Sequence, residues 1–368
     1  MQAIIKRAEK DSFSGKQWMA QTDDLTRGLD TRSAGRVLYH LAEQYRSTGK
    51  WPMAAETFKL LVEKYPKHPL RQSAMVWLLQ YYAGGEAGWR VRGERQENRP
   101  EQADAMAKQI EREYPDLRAE PMIGFPMAVV DRRRGFSRQA ERFYLTQRRR
   151  PTRDAWFDCA RAEEWIAGPN GVSPKPVARC VRANTKPKID GRLDEPVWLR
   201  GKPIQLKSAQ GDDGAWPAVA MVAYDEQFLY LAVSCRKVSG VNYRNKKGPR
   251  PRDADLSKDD RVDFFFDLDR DYVSYYRLSV DHRGWTGEGC WGDSTWNPQW
   301  FVAAGGKADV WTVEAAIPLD QLTGRSPRSR DVWALGVQRI VPGVGFQSFS
   351  KPASTVVIPE GFGLLGFD

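Results

Sequence analysis

The chain has 368 residues, 41% of them hydrophobic and 28% charged, which is too long for one ordinary domain and apolar enough to bury cores, and so excludes a disordered or collagen-like chain. The formal charge is +10; its excess lies mainly in the first half, with clusters at Arg132-Arg133-Arg134 and Arg148-Arg149-Arg150, and reads either as a polyanion-attracting surface or as a solvated arginine face. No run of about 20 apolar residues could span a membrane, and three His argue against a zinc or triad enzyme.

Residues 1–168 read as helices, an α-solenoid-like region. Residues 35–46 place Val37, Leu38, Leu41, Ala42 and Tyr45 at helical spacing. Gly49 and Trp51-Pro52 stop and restart the chain, with Pro at a helix start. Residues 52–65 carry Ala55, Phe58, Leu61, Val62 and Tyr65 on one stripe, and 70–82 form another helix. Residues 54–66 (AAETFKLLVEKYP) and 103–115 (ADAMAKQIEREYP) agree at Ala, Lys, a Leu/Ile position, Tyr and Pro. A Tyr-Pro that closes an amphipathic helix resembles the second helix of tetratricopeptide-like units. The spacing of the two copies exceeds the usual period of about 34 to 47 residues, so residues 84–100 are read as an insertion. Further helices are expected at 137–147 and 152–167, the latter rich in Trp156, Phe157, Ala160 and Trp165.

Residues 169–188 have the Pro/Gly composition of a linker. From 189 to 368 the pattern changes to period two. Residues 218–224 and 228–235 flank Asp225-Glu226-Gln227, a hairpin signal. Residues 261–268 alternate with Val262, Phe264, Phe266 and Leu268 on one face. The same alternation recurs around Tyr276, Leu278 and Val280, around Trp311, Val313 and Ala315, and around Trp333, Leu335 and Val337. Many short strands joined by turns indicate an antiparallel β-sandwich, so the fold class is multidomain, α followed by β.

Five ordered motifs in the second region resemble the family 9 carbohydrate-binding module of the DOMON-like superfamily. They are Ile189-Asp190-Gly191 with Leu193-Asp194-Glu195 and Trp198; Tyr224-Asp225-Glu226 with Leu229-Tyr230; Asp260 with Val262-Asp263-Phe264-Phe265-Phe266-Asp267; Trp311-Thr312-Val313-Glu314-Ala315-Ala316-Ile317-Pro318; and Phe362-Gly363 with Leu365. The resemblance implies a sandwich fold, glycan recognition, a capacity for structural calcium, and a secreted or cell-envelope setting beside polysaccharide-degrading proteins. No secretory leader is visible at Met1, which fits a piece of a longer chain. In sugar-binding members two tryptophans clamp the terminal sugar; the matching positions here are Ser257 and Val356, and both lack a ring.

Other rings are therefore the sugar-binding candidates: Trp285, Trp291, Trp296 and Trp300, with Asp293 and Asn297 as polar partners. They lie in a Gly- and Asp-rich stretch where exposed rings serve recognition and buried ones would anchor the loop. Tyr243 is a weaker candidate. Glu314 is expected to pair with basic neighbours. The run Asp253, Asp255, Asp259, Asp260, Asp263, Asp267, Asp269 and Asp271 is a calcium candidate, unless Lys258, Arg261 and Arg270 neutralise it. Cys159, Cys180, Cys235 and Cys290 show no zinc spacing and read as buried or free thiols. His40, His68 and His282 accompany no nucleophile motif, and no catalytic signature is present. Relatives can bind haem through Met or His; Met221 and His282 are the local candidates, against a core Met and a surface His. The sequence thus indicates a non-catalytic carbohydrate-binding protein with a helical protein-docking region and no specific nucleic-acid partner. The alternatives are an interaction scaffold that has lost sugar binding and, less favoured, a haem domain.

Overall fold

The computed structural model describes residues 25–91, 99–243, 248, 250–251 and 254–368. The expected insertion is described only outside 92–98, and Asp253 of the acidic run lies outside the described residues. The chain divides into two compact units, Met1–Leu78 and Leu79–Asp368.

The first unit holds α1 (Thr31–Ser47), α2 (Trp51–Lys64) and the start of α3 (Arg71–Ala83). Asp30 caps α1 by accepting from Arg32 N and Ser33 N, which satisfies amides the helix cannot pair itself. Pro52 sits in the first turn of α2, where its missing N–H costs nothing. Leu38, Leu41, Ala42, Tyr45, Trp51, Phe58 and Leu61 are buried. Phe58 meets Tyr39 edge-on at 5.4 Å and Trp77 at 5.0 Å. Gly35 lets the His68 ring approach the α1 backbone; a Cβ there would lie 2.4 Å from the ring. His68 Nδ1 accepts from Leu70 N at 3.2 Å, so Nε2 is the protonated nitrogen and donates to Arg32 O at 3.1 Å.

The second unit contains α4 (Gly85–Arg90), α5 (Arg99–Glu113), α6 (Pro121–Arg133), α7 (Ser137–Arg148) and α8 (Ala155–Ala167). The internal repeat has a structural counterpart. Ala54, Phe58 and Leu61 of α2 are buried, and so are Ala103, Ala107 and Ile110 of α5. Tyr65 and Tyr114, just past the two helices, share similar backbone angles, φ −124 ψ 66 and φ −140 ψ 64.

The strands are β1 (Val177–Arg182), β2 (Ile204–Ser208), β3 (Ala218–Tyr224), β4 (Phe228–Arg236), β5 (Arg261–Asp267), β6 (Tyr276–Asp281), β7 (Thr286–Cys290), β8 (Phe301–Gly306), β9 (Val310–Pro318), β10 (Val332–Val341), β11 (Gly345–Ser348) and β12 (Gly363–Phe367), with a short helix α9 (Pro196–Arg200) before β2. The main hydrogen-bonded path is β7-β6-β5-β10-β11-β2-β3-β4-β9-β8. Its ladders are antiparallel, as the alternation predicts. β1 is the departure: it lies inside the Pro/Gly stretch read as linker, and it pairs parallel with both β12 and β3. Only six residues long and closely flanked by prolines, it is too brief for its alternation to stand out.

Two strands change partners midway. The first half of β10 pairs with β12 and its second half with β11. The first half of β3 pairs with β2 and its second half with β1. The halves of the sandwich are therefore stitched by two short seams, β11–β2 and β12–β1.

Alternation along β5 assigns its faces. Phe264 and Phe266 share one face, and Phe266 meets Trp333 edge-on at 6.3 Å. Phe265 points to the other, where it shares a core with Phe125, Ala140, Tyr144, Cys159 and Phe362. Helices α6 to α8 thus cover a face of the sheet within the same unit. A buried network reinforces the contact: Glu163 of α8 accepts from Arg270 Nε at 2.7 Å, Arg132 Nη1 at 3.0 Å and Tyr272 Oη at 3.1 Å.

Candidate functional site

The structure buries most of the tryptophan stretch. Trp291, Trp296 and Trp300 are 9%, 7% and 6% exposed. Trp296 stacks on Tyr276 at 4.7 Å, and Trp300 Nε1 donates to Glu288 at 2.6 Å. Asp293 is fully buried; it accepts from Thr295 N and pairs with Arg90 of α4 at 3.2 Å. Asn297 is exposed. Trp285 is half-buried, with the Arg283 guanidinium 3.8 Å from its ring centroid. These residues do not form an open aromatic surface, because the rings serve as anchors for the loop. Tyr243 donates to Asp260 at 2.8 Å, and Ser257 and Val356, the clamp positions, are exposed.

The resemblance motifs are structural. Glu314 is buried and pairs with N–H donors rather than with the basic neighbours expected. Trp198 Nε1 donates to its Oε1 at 2.7 Å, and Asp190 N and Gly191 N donate to Oε2 at 3.1 and 2.8 Å. Burial pushes its carboxyl up to about 7. Gly191 has φ +84, and a Cβ there would lie 2.6 Å from the Ala304 carbonyl carbon, so only glycine fits. Met221 packs with Trp198 and Tyr230, and His282 meets Tyr243 edge-on at 5.1 Å; both belong to packing.

The acidic run separates into pairs. Asp259 and Asp281 hold Arg283, Asp260 holds Arg339, and Arg270 turns to Glu163 instead. Asp267 accepts from Arg270 N, Asp271 N and Tyr272 N, fixing a turn in which Arg270 and Tyr272 take φ of 60 and 54. Asp269, Asp271 and Glu86 bring ligand atoms within 4.8 Å of one another. Their oxygens already face donors: Leu268 N on Glu86 Oε1, Gly85 N and Arg133 on Asp269 Oδ2, and Val273 N and Ser274 N on Asp271 Oδ1. Ser274 Oγ lies 2.8 Å from both Glu86 Oε2 and Asp271 Oδ2. One hydroxyl proton cannot serve two carboxylates, so one carboxyl of the pair carries its own proton. Burial pushes Glu86 well up and Asp271 up to about 7. A donor-filled, proton-sharing cluster beside Arg133 does not fit calcium, which requires free oxygen ligands.

All four cysteines are buried free thiols.

The open site lies at the two seams. A cleft of about 710 Å³ is lined by β1, β2, the end of β11 and the chain that follows it, with Trp165 of α8. Trp165 and Phe349 are half-buried and supply its rings. Phe349 N donates to Val337 O at 2.9 Å, and its ring lies over Gly363, where a Cβ would meet it at 2.6 Å. Ser173, Gln205, Ser208, Ser348 and Ser350 add hydroxyl and amide groups. The sequence shows Trp165 only as one of the aromatics of the helix expected at 152–167 and does not single out the rest. The lining comes from three separate stretches with no shared motif; the run Ser348-Phe349-Ser350-Lys351 was the one local hint.

Residues 36–68 match the family model for the tetratricopeptide repeat. That segment comprises most of α1, all of α2 and the turn carrying His68. No curated protein matches the chain. Among solved structures the chain is similar to a carbohydrate-binding module family 9 protein from Caldicellulosiruptor kristjanssonii in complex with cellotriose, at 15% identity, over 52% of this chain and 94% of that one, with a TM-score of 0.39. The glucose complex of a family 9 module from the same organism matches at 15% identity over 52% and 95%, with a TM-score of 0.37. A protein from Bacteroides uniformis matches at 14% identity over 53% of this chain and all of that one, with a TM-score of 0.39. No helix among the described residues is long and apolar enough to cross a membrane.

Proposed function

We propose that the chain is a non-catalytic carbohydrate-binding protein whose sugar site is the seam cleft. The observation that carries this reading is the pairing of two half-buried rings, Trp165 and Phe349, with hydroxyl and amide side chains in one concave site. A pyranose offers an apolar face to a ring and hydroxyls to polar groups, and that is the chemistry such a cleft accepts. The five family 9 motifs support the same reading. The tetratricopeptide-like helices of the first unit serve as a docking arm for a protein partner, and the setting is polysaccharide degradation or attachment at the cell envelope, outside the cytoplasm.

A second reading is an interaction scaffold without sugar binding; the ringless clamp positions Ser257 and Val356 favour it. Affinity electrophoresis through a panel of neutral and acidic polysaccharides separates the two. Retardation that Trp165→Ala abolishes supports the cleft. Unretarded migration in every gel leaves the scaffold.

A further inference from the structure

The charge of the cleft is as one-sided as its shape. Four cations line it, Arg179, Lys202, Lys207 and Lys351, and no carboxylate side chain does. Two of these cations have partners that a ligand can displace. Arg179 meets Asp368 at 3.2 Å and Lys207 meets Asp213 at 3.5 Å, with both cations about two-thirds exposed, so these pairs hold weakly. Lys202 and Lys351 form no ion pair among the described residues. Apolar walls concentrate the field of such a group.

A neutral sugar would not use this arrangement. It would leave Lys202 and Lys351 in the lining without a counter-charge, whereas an anion bound between them would supply one. We propose that the cleft recognises an acidic saccharide, with the sugar ring against Trp165 and Phe349 and its anionic group between Lys202 and Lys351. This rests on the carbohydrate-binding reading and narrows its ligand class. Lys202 enters from the turn after α9, and Lys351 follows β11; the two seams therefore bring together cations that are far apart in sequence.

The test is calorimetric titration of the full chain with trigalacturonate, a sulfated oligosaccharide of similar length, cellotriose and a short single-stranded oligonucleotide. The expected result is that at least one acidic sugar binds ten-fold or more tighter than cellotriose. That affinity should fall as salt rises, and Lys202→Met with Lys351→Met should lower it at least ten-fold while the melting temperature holds. Carboxylated and sulfated sugars are thereby told apart. Cellotriose binding as tightly as either acidic sugar, unaffected by the two lysine changes, overturns the acidic assignment and leaves sugar binding intact. An oligonucleotide that binds as tightly as the acidic sugars overturns it in favour of general polyanion attraction. Absence of binding to every sugar overturns both the assignment and the reading beneath it.

Discussion

Arg339 and Asp260 form a bidentate ion pair in the sandwich interior, with Nε on Oδ1 at 2.9 Å and Nη2 on Oδ2 at 2.6 Å, and both side chains wholly shielded from water. Further partners surround the pair. Arg339 also donates to Trp216 O and Arg236 O, and Asp260 Oδ2 also accepts from Tyr243 Oη and Trp311 Nε1. Asp260 opens one of the resemblance motifs and Trp311 opens another, so this pair joins the two.

Removing one partner should cost about 3–5 kcal/mol, because the other charge is left buried and unpaired. Arg339→Met and Asp260→Asn are each expected to lower the urea midpoint strongly. The double change Arg339→Met with Asp260→Asn should cost less than the two singles combined. Strictly additive losses would show that the pair is not coupled.

The Ser274 cluster sets a pH dependence. Asp271 has its carboxyl raised to about 7 by burial, whereas an unfolded Asp titrates near its ordinary value of about 3.9. The folded state therefore holds the extra proton. Its stabilisation is complete below pH ~4 and is lost as pH rises through about 7. Glu314 acts in the same direction. Glu163, held low by Arg270 and Arg132 despite its burial, acts in the opposite direction and loses its contribution in acid. Asp271→Asn mimics the protonated form, since its amide can donate to Ser274 Oγ. It should flatten the melting-temperature profile between about pH 5 and 8 and raise stability at pH 8 by on the order of 1–3 kcal/mol. An unchanged slope would place the shared proton elsewhere.

Gly35 and His68 form a steric lock in the first unit. Gly35→Ala gains about 1 kcal/mol of helix propensity but drives a methyl into the imidazole, an overpacking cost of about 1–3 kcal/mol. Net destabilisation is expected in urea unfolding, and His68→Ala in the same chain should relieve it. If Gly35→Ala stabilises the protein on its own, the ring is free to move aside.

The four thiols should be silent in the native state. Burial pushes Cys159 up to about 12 and raises Cys180, Cys235 and Cys290 well above the ordinary thiol range, so thiolate is scarce and access is blocked. A chromogenic disulfide reagent should react with no thiol before denaturant is added and with four afterwards.

The sequence revealed elements where one period ran long enough. The helical stripes of α1 and α2, the hairpin at Asp225-Glu226-Gln227 and the alternation of β5, β9 and β10 all stand where the residue pattern places them. It was silent where structure depends on partners distant in the chain. β1 has the composition of a linker and becomes a strand because Leu364 and Val222 lie on either side of it. The tryptophans of the 291–300 loop looked available because period and composition do not report burial; Tyr276, Glu288 and Arg90, which hold that loop, come from other elements. The cleft cations were invisible for the same reason. The unit boundary at Leu78 falls inside a continuous helix, where no Pro or Gly marks it.

The two parallel ladders of β1 have a consequence for the order of assembly. β1 leaves the ribosome well before β12, yet Val177 pairs with Leu364 and Cys180 with Phe367. Until residues 363–367 arrive, one edge of β1 has no ladder to join and the first half of β10 lacks the neighbour on its side away from β5. Pairings that span so much chain form slowly, so the β12–β1 seam should close last, and a nascent chain halted before Gly363 would hold β1 by its β3 ladder alone.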